Sequence, residues 1–339
     1  MGQFGQEVAI DAPEGRFAPE GRVPFVQPHR PPFPRSRPPK QVYPLPVPRP
    51  ADWGVGVTTC LASLATDDCI VAVSDMMISM DWVSGDSLSV KSLNIGANWR
   101  VMFSGNDVTP VIPIMERVRS RAGKAPTVNE LTLAFEQEYA TQIRRRAEAE
   151  VLSTLGLSMQ TFLTEGLKDL GPALFSQFVC DIRNVRSDLE FLVFGFDREP
   201  RMFIVSHPGI ASDYGVPGFW AIGSGSISAL GMLYNIGHNK HVSAQGALYN
   251  LCAAKFLSES ASGVGKATFA VIARSNSHPT RMTTQDLEPI RKLWERKGRP
   301  RQPASAESVS EAVIKKADNV EEEVRRQRAA EAAGPGAVG

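Results

Sequence analysis

The sequence has no excess of either charge and no long apolar run. Its 37 basic and 36 acidic side chains leave a formal net charge of +1, without the basic excess that is typical of nucleic-acid-binding proteins. The longest uncharged apolar runs, such as residues 69–73, are far shorter than the ~20 residues that cross a bilayer. The first thirty residues contain acidic side chains and no apolar segment, which argues against a secretory signal or transit peptide. We therefore expect a cytoplasmic protein that binds neither nucleic acid nor membrane.

Signatures of several common sites are also missing. The four cysteines are spread singly through the chain without the paired spacing of a metal site, which is typical of reduced, buried thiols. There is no G-x-S-x-G motif of an α/β-hydrolase, and residues 223–226 lack the Lys-Ser or Lys-Thr ending of a phosphate-binding loop. His238 and His241 could share a metal, but no third ligand is evident, so two surface histidines are the favoured interpretation. No cofactor or metal is expected.

Composition divides the chain into three parts. Thirteen of the 25 prolines fall at or before Pro50, so residues 1–57 are predicted to be a disordered leader or propeptide, or a segment that is not translated. A polyproline ligand for a partner is the less favoured alternative. Residues 58–275 have the pattern of a folded domain. Residues 276–339 form a charged, partly helical tail, in which Ser308 and Glu311 could cap a helix. A solvated tail helix is favoured over a docking or self-association helix.

The domain alternates between groups of strands and groups of helices. A strand at 57–64 is predicted to return through the turn 66–68 into a buried strand at 69–73. Further strands are predicted at 87–95, 99–103, 190–196, 201–205, 219–222 and 266–274. Helices are predicted at 113–118, 159–183, 229–235 and 244–257, and another begins at a Thr127–Glu130 capping box. Breaks in the helix at 159–183 are predicted at Gly166 and at Gly171-Pro172. This order favours a layered α+β domain over a doubly wound sheet.

Four residues at defined spacings suggest a chemical site. Asp75 follows a buried strand, Lys91 lies 16 residues later, and Gly105 another 14 residues on. Thr58 stands at the start of the domain, and a threonine at a free amino end carries its own base, an α-amine with a pKa near ~8. A nearby lysine lowers the proton affinity of the hydroxyl and the amine, a carboxylate keeps that lysine charged, and a glycine N–H can stabilise an oxyanion. The set therefore predicts a threonine nucleophile with three partners.

These residues resemble the proteasome-type N-terminal nucleophile hydrolases, which include proteasome β subunits and simpler bacterial proteasome-like peptidases. The similarity covers roughly residues 58–273. The segments that carry it are Thr58-Thr59, Ser74-Asp75, Lys91, Ser104-Gly105 and residues 221–229. The resemblance implies a four-layer αββα sandwich, with two central antiparallel sheets covered on each side by helices. It also implies Thr58 as nucleophile, Asp75 and Lys91 as its charged partners, and Gly105 as oxyanion donor.

The resemblance further implies that Ser224, Glu259 and Ser262 surround the terminal amine and help to position a water molecule. Members of the family usually carry Asp in place of Glu259. A helical insertion at about 144–185 is longer than in core proteasome subunits, and it resembles a bacterial and archaeal branch of the family whose chains begin with Met-Thr.

The first residue of the active chain is either Thr58 or Thr59. The family spaces nucleophile and aspartate as Thr59 and Asp75 are spaced, whereas Thr58 requires one additional residue, which the turn 66–68 could absorb. We prefer Thr58 as the first residue, and Thr59 is the alternative. If Val57 were read as an alternative start, it would be incorporated as methionine and then trimmed, which would expose Thr58. Alternatively, the leader is a propeptide that is cut before Thr58.

The sequence therefore predicts a proteasome-like threonine peptidase that cleaves amide bonds in peptides or unfolded proteins through an acyl-enzyme ester. Family members assemble into rings, so a homo-oligomeric ring is expected, and an unfoldase partner stays open. A small-molecule amidase on the same fold is the competing enzyme hypothesis. An inactive scaffold subunit, with its threonine buried behind the leader, is the alternative from another class.

Overall fold

The apolar segments of the domain form two five-stranded antiparallel sheets. The computed structural model describes residues 58–80, 83–86, 91–275, 277–300 and 305–332. The strands are β1 (Cys60–Ala65), β2 (Cys69–Asp75), β3 (Ile78–Met80), β4 (Val83–Gly85), β5 (Ser92–Ile95), β6 (Trp99–Ser104), β7 (Glu190–Phe196), β8 (Pro200–Ser206), β9 (Ile210–Asp213), β10 (Phe219–Ile222), β11 (Thr268–Arg274) and β12 (Thr280–Met282). The first sheet has the order β10-β1-β2-β11-β12 and the second has the order β5-β6-β7-β8-β9, while β3 and β4 form a hairpin.

Helices separate the strands into groups, as an α+β domain requires. They are α1 (Val111–Ala122), α2 (Val128–Ala147), α3 (Met159–Asn184), α4 (Ser226–Asn235), α5 (Ala244–Ser258), α6 (Thr284–Leu293) and α7 (Ala306–Ala332). A π-helical turn (Glu148–Leu152) and a 3₁₀ turn (Ser153–Leu155) follow α2, and a second π-helical turn (Trp294–Gly298) follows α6. The predicted capping box of α2 is confirmed, because the side chains of Thr127 and Glu130 bond reciprocally to each other's backbone N–H.

The C-terminal boundary of the domain differs from the prediction. Strand β12 lies beyond residue 275 but pairs with β11, and Leu287 of α6 is buried in the same core as β1 and β2. The polar composition of this region predicts a tail, but the region contains a short edge strand and an amphipathic helix. The tail helix α7 is present, but it begins at Ala306, so Ser308 lies inside its first turn and donates to the carbonyl of Ser305 instead of capping it. The predicted strand 87–95 begins at Ser92, and residues 87–90 lie outside the described residues.

Three apolar clusters follow from the alternation of side chains along the strands. Strands β1 and β2 are buried on both faces, since Leu61 and Val73 pack with α4, α5 and α6 in one cluster. Ala62 and Ala72, on the opposite face, pack against residues of β6, β7 and β8 from the second sheet. The other face of the second sheet packs on α1 and α2 through a cluster that includes Phe191. One cluster therefore combines residues of both sheets, and each of the other two combines strand residues with helix residues.

Helix α3 folds back on itself at Gly171. This residue has a φ of +73° and a ψ of 164°, and Pro172 follows it. The rings of Phe162 and Phe175 stack with centroids 4.7 Å apart, although residues thirteen apart in one straight helix would be separated by ~20 Å. The predicted break at Gly171-Pro172 is confirmed, whereas the predicted break at Gly166 is wrong. Gly166 is helical and buried, and a Cβ there would lie 3.0 Å from Phe162 and 3.4 Å from Phe175 of the other half, so its small size permits the packing of the two halves.

One of the two histidines expected at the surface is buried. His238 is 5% exposed, whereas His241 is exposed. The Nε2 atom of His238 lies 2.8 Å from Ser63 Oγ, and its Nδ1 atom lies 3.1 Å from the amide nitrogen of Asn250. Since an amide nitrogen only donates, Nδ1 accepts and Nε2 donates to Ser63, which in turn donates to the carbonyl of Leu64 at 2.7 Å. This direction of donation makes the pair a structural link and not a base with its nucleophile.

The buried ring predicts a loss of stability in mild acid. Burial lowers the pKa of His238 from 6.5 to about 4, so the unfolded chain binds this proton at a higher pH than the folded protein does. The contribution to the free energy of unfolding is therefore complete above pH 6.5 and falls by about 3 kcal/mol as the pH drops towards 4. Urea titrations at several pH values measure the free energy of unfolding. In His238→Gln this free energy should fall less between pH 6.5 and pH 4 than it does in the wild type. His241→Gln is the control, and equal slopes for wild type and His238→Gln would contradict the assignment.

Candidate active site

The ends of β1 and β2 bring a hydroxyl, an ammonium and a carboxylate into one buried cluster. The Lys91 Nζ atom donates to Thr58 Oγ1 and lies 3.0 Å from each carboxylate oxygen of Asp75. Thr58 and Lys91 are each 3% exposed and Asp75 is fully buried. Thr58 precedes β1, Asp75 ends its hairpin partner β2, and Lys91 precedes β5 of the second sheet. The three residues predicted from their spacing therefore meet where the two sheets adjoin.

Backbone donors hold the Asp75 carboxylate in place. Oδ1 accepts from the N–H of Thr59 at 2.8 Å, and Oδ2 accepts from the N–H groups of Met77 at 3.0 Å and Gly265 at 3.4 Å. A buried carboxylate loses its hydration, and these hydrogen bonds together with the Lys91 ammonium compensate for that loss. The carboxylate consequently connects the first strand, the second strand and the loop after α5.

Ser224 and Ser262 lie at the main chain of Thr58. The N–H of Thr58 donates to Ser224 Oγ at 3.4 Å, and Ser224 Oγ lies 3.1 Å from the carbonyl oxygen of Ser262, to which it donates. Ser262 thus takes part through its backbone. Gly223 is required beside them, because it has a φ of +91° and a Cβ there would lie 2.3 Å from the carbonyl oxygen of Thr58. Ser224 is therefore in contact with the predicted nucleophile, and Ser262 is linked to it through Ser224.

The turn that contains Gly105 follows β6 on the same side of the domain. The Cβ position of Gly223 would be 3.3 Å from the side chain of Ser104, so this turn adjoins the Thr58 main chain. Glu190, the first residue of β7, contacts both the end of β6 and Gly223. Its Oε2 atom accepts from Ser104 Oγ at 3.1 Å and from the N–H of Gly223 at 3.1 Å. Sequence reasoning missed Glu190. Its only signal was a charged residue at the start of an apolar strand, which gives no indication of a partner 86 residues away in the chain.

Glu259 has a different environment from the one that the resemblance implies. Its carboxylate is bound by Lys255 Nζ at 2.6 Å and by both terminal nitrogens of Arg291, at 2.9 and 2.6 Å. Lys255 is fully buried, which lowers its pKa, and it also donates to the carbonyl oxygens of Gly265 and Lys266 at 2.7 and 3.0 Å. Lys255 lies one helical turn before Glu259, so the two side chains form an i, i+4 ion pair. The network fixes the loop that presents the N–H of Gly265 to Asp75.

The two adjacent threonines have different surroundings. Thr59 is fully buried, and its Oγ1 atom accepts from Ser258 Oγ at 3.2 Å, at the end of α5. Only Thr58 has its hydroxyl against the Lys91 ammonium. A hydroxyl in contact with a positive charge loses its proton more readily than one that is bound to a second hydroxyl. The geometry therefore favours Thr58 over Thr59 as a nucleophile.

Two further findings concern the described part of the chain. It contains no group of three or more His, Cys, Asp or Glu side chains that is suited to holding a metal ion. Among its helices, none combines the length and the apolarity needed to cross a membrane.

The buried charge pair predicts a stability pattern that a double variant can separate. Asp75→Asn leaves the Lys91 ammonium buried without its counter-charge, so the free energy of unfolding should fall by about 3–5 kcal/mol. In Asp75→Asn/Lys91→Met neither charge of this pair is left, and much of this loss should be recovered. Urea unfolding measures both values, with the exposed residue Asp197 changed to Asn as a control. A double variant that is no more stable than Asp75→Asn would show that the pair does not determine stability at this site.

Comparison of the chain with models of known protein families and with curated proteins finds no match.

Proposed function

We propose that this protein is a threonine peptidase of the N-terminal nucleophile hydrolase type, similar to proteasome β subunits and acting in the cytoplasm. The observation that carries the proposal is the contact of Lys91 with the hydroxyl of Thr58 and with both oxygens of Asp75, in a cluster that is almost fully buried. A structural threonine at the start of a strand has no need of a buried ammonium on its hydroxyl. Burying that charge costs free energy, and such a cost is typical of functional sites, where the charge acts on a reacting group.

The arrangement of the core is compatible with the fold that this proposal requires. In the proposed four-layer αββα sandwich, α4 and α5 form one outer layer, the two sheets form the middle layers, and α1 and α2 form the other outer layer. The three apolar clusters support this interpretation, since one lies between the sheets and one lies on the outer face of each sheet. Helix α3 belongs to the insertion, which has an apolar cluster of its own.

In the proposed reaction, the α-amine of a free Thr58 takes the proton from the hydroxyl as Oγ1 attacks the carbonyl carbon of an amide. The Lys91 charge favours the alkoxide, and the N–H of Gly105 stabilises the oxyanion of the tetrahedral intermediate. Collapse of the intermediate breaks the C–N bond, the leaving amine takes up the proton, and an ester on Thr58 remains. Water activated by the same amine then hydrolyses the ester. Ser224, which is bound to the carbonyl of Ser262, holds the terminal amine.

The proposal requires that the chain be active without residues 1–57, because an amide nitrogen cannot act as the base. A start at Val57 followed by trimming and a cut before Thr58 both satisfy this requirement. The proposal assigns the additional residue between nucleophile and aspartate, relative to the family spacing, to the three-residue turn 66–68. Pairing of β1 with β2 runs without interruption from Cys60–Ser74 to Ala65–Cys69, so the extra residue does not disturb the strands.

A covalent probe tests the nucleophile. Natively produced protein should begin at Thr58 by intact-mass measurement, and a threonine-reactive β-lactone should add one acyl group to it. Thr58→Ala should abolish this labelling, because the acceptor oxygen is lost. Thr59→Ala should retain most of it, because that hydroxyl bonds to Ser258 and not to Lys91. Labelling that is lost in Thr59→Ala and kept in Thr58→Ala would identify Thr59 as the nucleophile.

Other outcomes separate the alternative functions. A native chain that retains Met1, or labelling that is equal in wild type and Thr58→Ala, would reject the proposal and favour an inactive scaffold subunit. If Thr58 is labelled, a peptide library distinguishes a peptidase from a small-molecule amidase. Peptides or unfolded proteins are the proposed substrates. A homo-oligomeric ring is proposed as well, and analytical ultracentrifugation of the native protein measures its size.

A further inference from the structure

The turn that contains Gly105 is held on both sides by one short segment, residues 188–190, which joins the helical insertion to β7. On one side of Gly105, Ser104 Oγ donates to Glu190 Oε2 at 3.1 Å. On the other side, the N–H of Asn106 donates to Asp188 Oδ2 at 2.6 Å. Two carboxylates two residues apart therefore bind the two neighbours of Gly105.

The residue between these carboxylates supports the glycine itself. Leu189 is buried, and its Cα atom would lie 3.1 Å from a Cβ at Gly105, so the backbones are in close contact. The carbonyl oxygen of Leu189 accepts from the buried Tyr139 hydroxyl at 2.5 Å. Since Tyr139 belongs to α2, the segment 188–190 is fixed to the helix layer on one side and to the Gly105 turn on the other.

Glu190 also connects this turn to the main chain of Thr58. The carboxylate oxygen that binds Ser104 also accepts from the N–H of Gly223 at 3.1 Å. Gly223 lies directly against the carbonyl oxygen of Thr58. A single oxygen atom thus bridges β6 and the end of β10, which belong to different sheets.

We propose that Asp188 and Glu190 are positioning residues, which orient the Gly105 turn towards Thr58. This inference rests on the proposed function, in which the N–H of Gly105 stabilises an oxyanion. Such a donor is effective only when its direction is set before the reaction. The bond to the Ser104 side chain and the bond to the Asn106 N–H lie on either side of the glycine, and together they restrict movement of the turn that carries its N–H. The acids act through the turn and do not touch the substrate.

The hydrogen bonds of Asp188 and Glu190 can be tested without an activity assay. Amide hydrogen exchange should be about tenfold faster at Asn106 in Asp188→Ala and at Gly223 in Glu190→Ala, because each N–H loses its carboxylate acceptor. Glu190→Gln keeps an acceptor oxygen and should exchange nearly as wild type does. Asp188 is exposed, so Asp188→Ala should fold even if Glu190→Ala does not. Glu199→Ala, which removes an acid paired with Arg201 at the β7–β8 turn, is the matched control. Unchanged exchange at both amides would overturn the proposal.

The rate of acylation by a β-lactone then tests the consequence at Thr58. Asp188→Ala and Glu190→Ala should each lower the maximal labelling rate about tenfold or more, with little change in the probe concentration that gives half of this rate. Glu190→Gln should restore most of the rate. Variants that exchange faster but label at the wild-type rate would overturn the positioning role. Wild-type protein that is not labelled at Thr58 would instead overturn the proposed function, and the exchange rates would still decide whether the two acids hold the turn.

Discussion

The arrangement of the site depends on one buried ammonium. Lys91 is almost completely removed from water and lies between the Asp75 carboxylate and the Thr58 hydroxyl. Burying such a charge costs several kcal/mol, so it persists only where a counter-charge and further hydrogen bonds are held in place. The carboxylate provides the counter-charge, and it is itself bound by three backbone N–H groups from separate segments. The position of each of these segments is therefore linked to the position of the lysine.

The more distant parts of the domain support this arrangement through backbone groups. Lys255 binds the carbonyls of Gly265 and Lys266, and so shapes the loop that donates to Asp75. Arg291 of α6 reaches the same loop through Glu259 and the carbonyl of Lys266. Elements far apart in sequence thereby converge on one carboxylate. Loops built in this way can present N–H groups in fixed directions, which is what the stabilisation of a developing charge requires.

Local features of the chain could be predicted from the sequence, whereas most long-range contacts could not. The β1–β2 hairpin, the capping box at Thr127 and the break at Gly171 depend on neighbouring residues, and the structure contains all three. The roles of Asp188 and Glu190 depend on strand pairing between β6 and β7, which the helical insertion separates in sequence. His238 was misjudged for the same reason, since its partners Ser63 and Asn250 come from β1 and α5. The role that the resemblance implies for Glu259 differs for the same reason, since Arg291 of α6 binds its carboxylate.

The choice between the two threonines follows from the geometry of a strand. Successive side chains of an extended chain point to opposite faces, so Thr58 and Thr59 cannot both face the same partner. Cys60 packs between the two sheets, whereas Leu61 packs towards α5. Thr59 shares the face of Leu61, which agrees with its bond to Ser258 of α5, and Thr58 shares the face of Cys60. Lys91 contacts the hydroxyl of Thr58, whereas the hydroxyl of Thr59 contacts Ser258. A shift of the active terminus by one residue would therefore replace the lysine beside the nucleophile with a serine of α5.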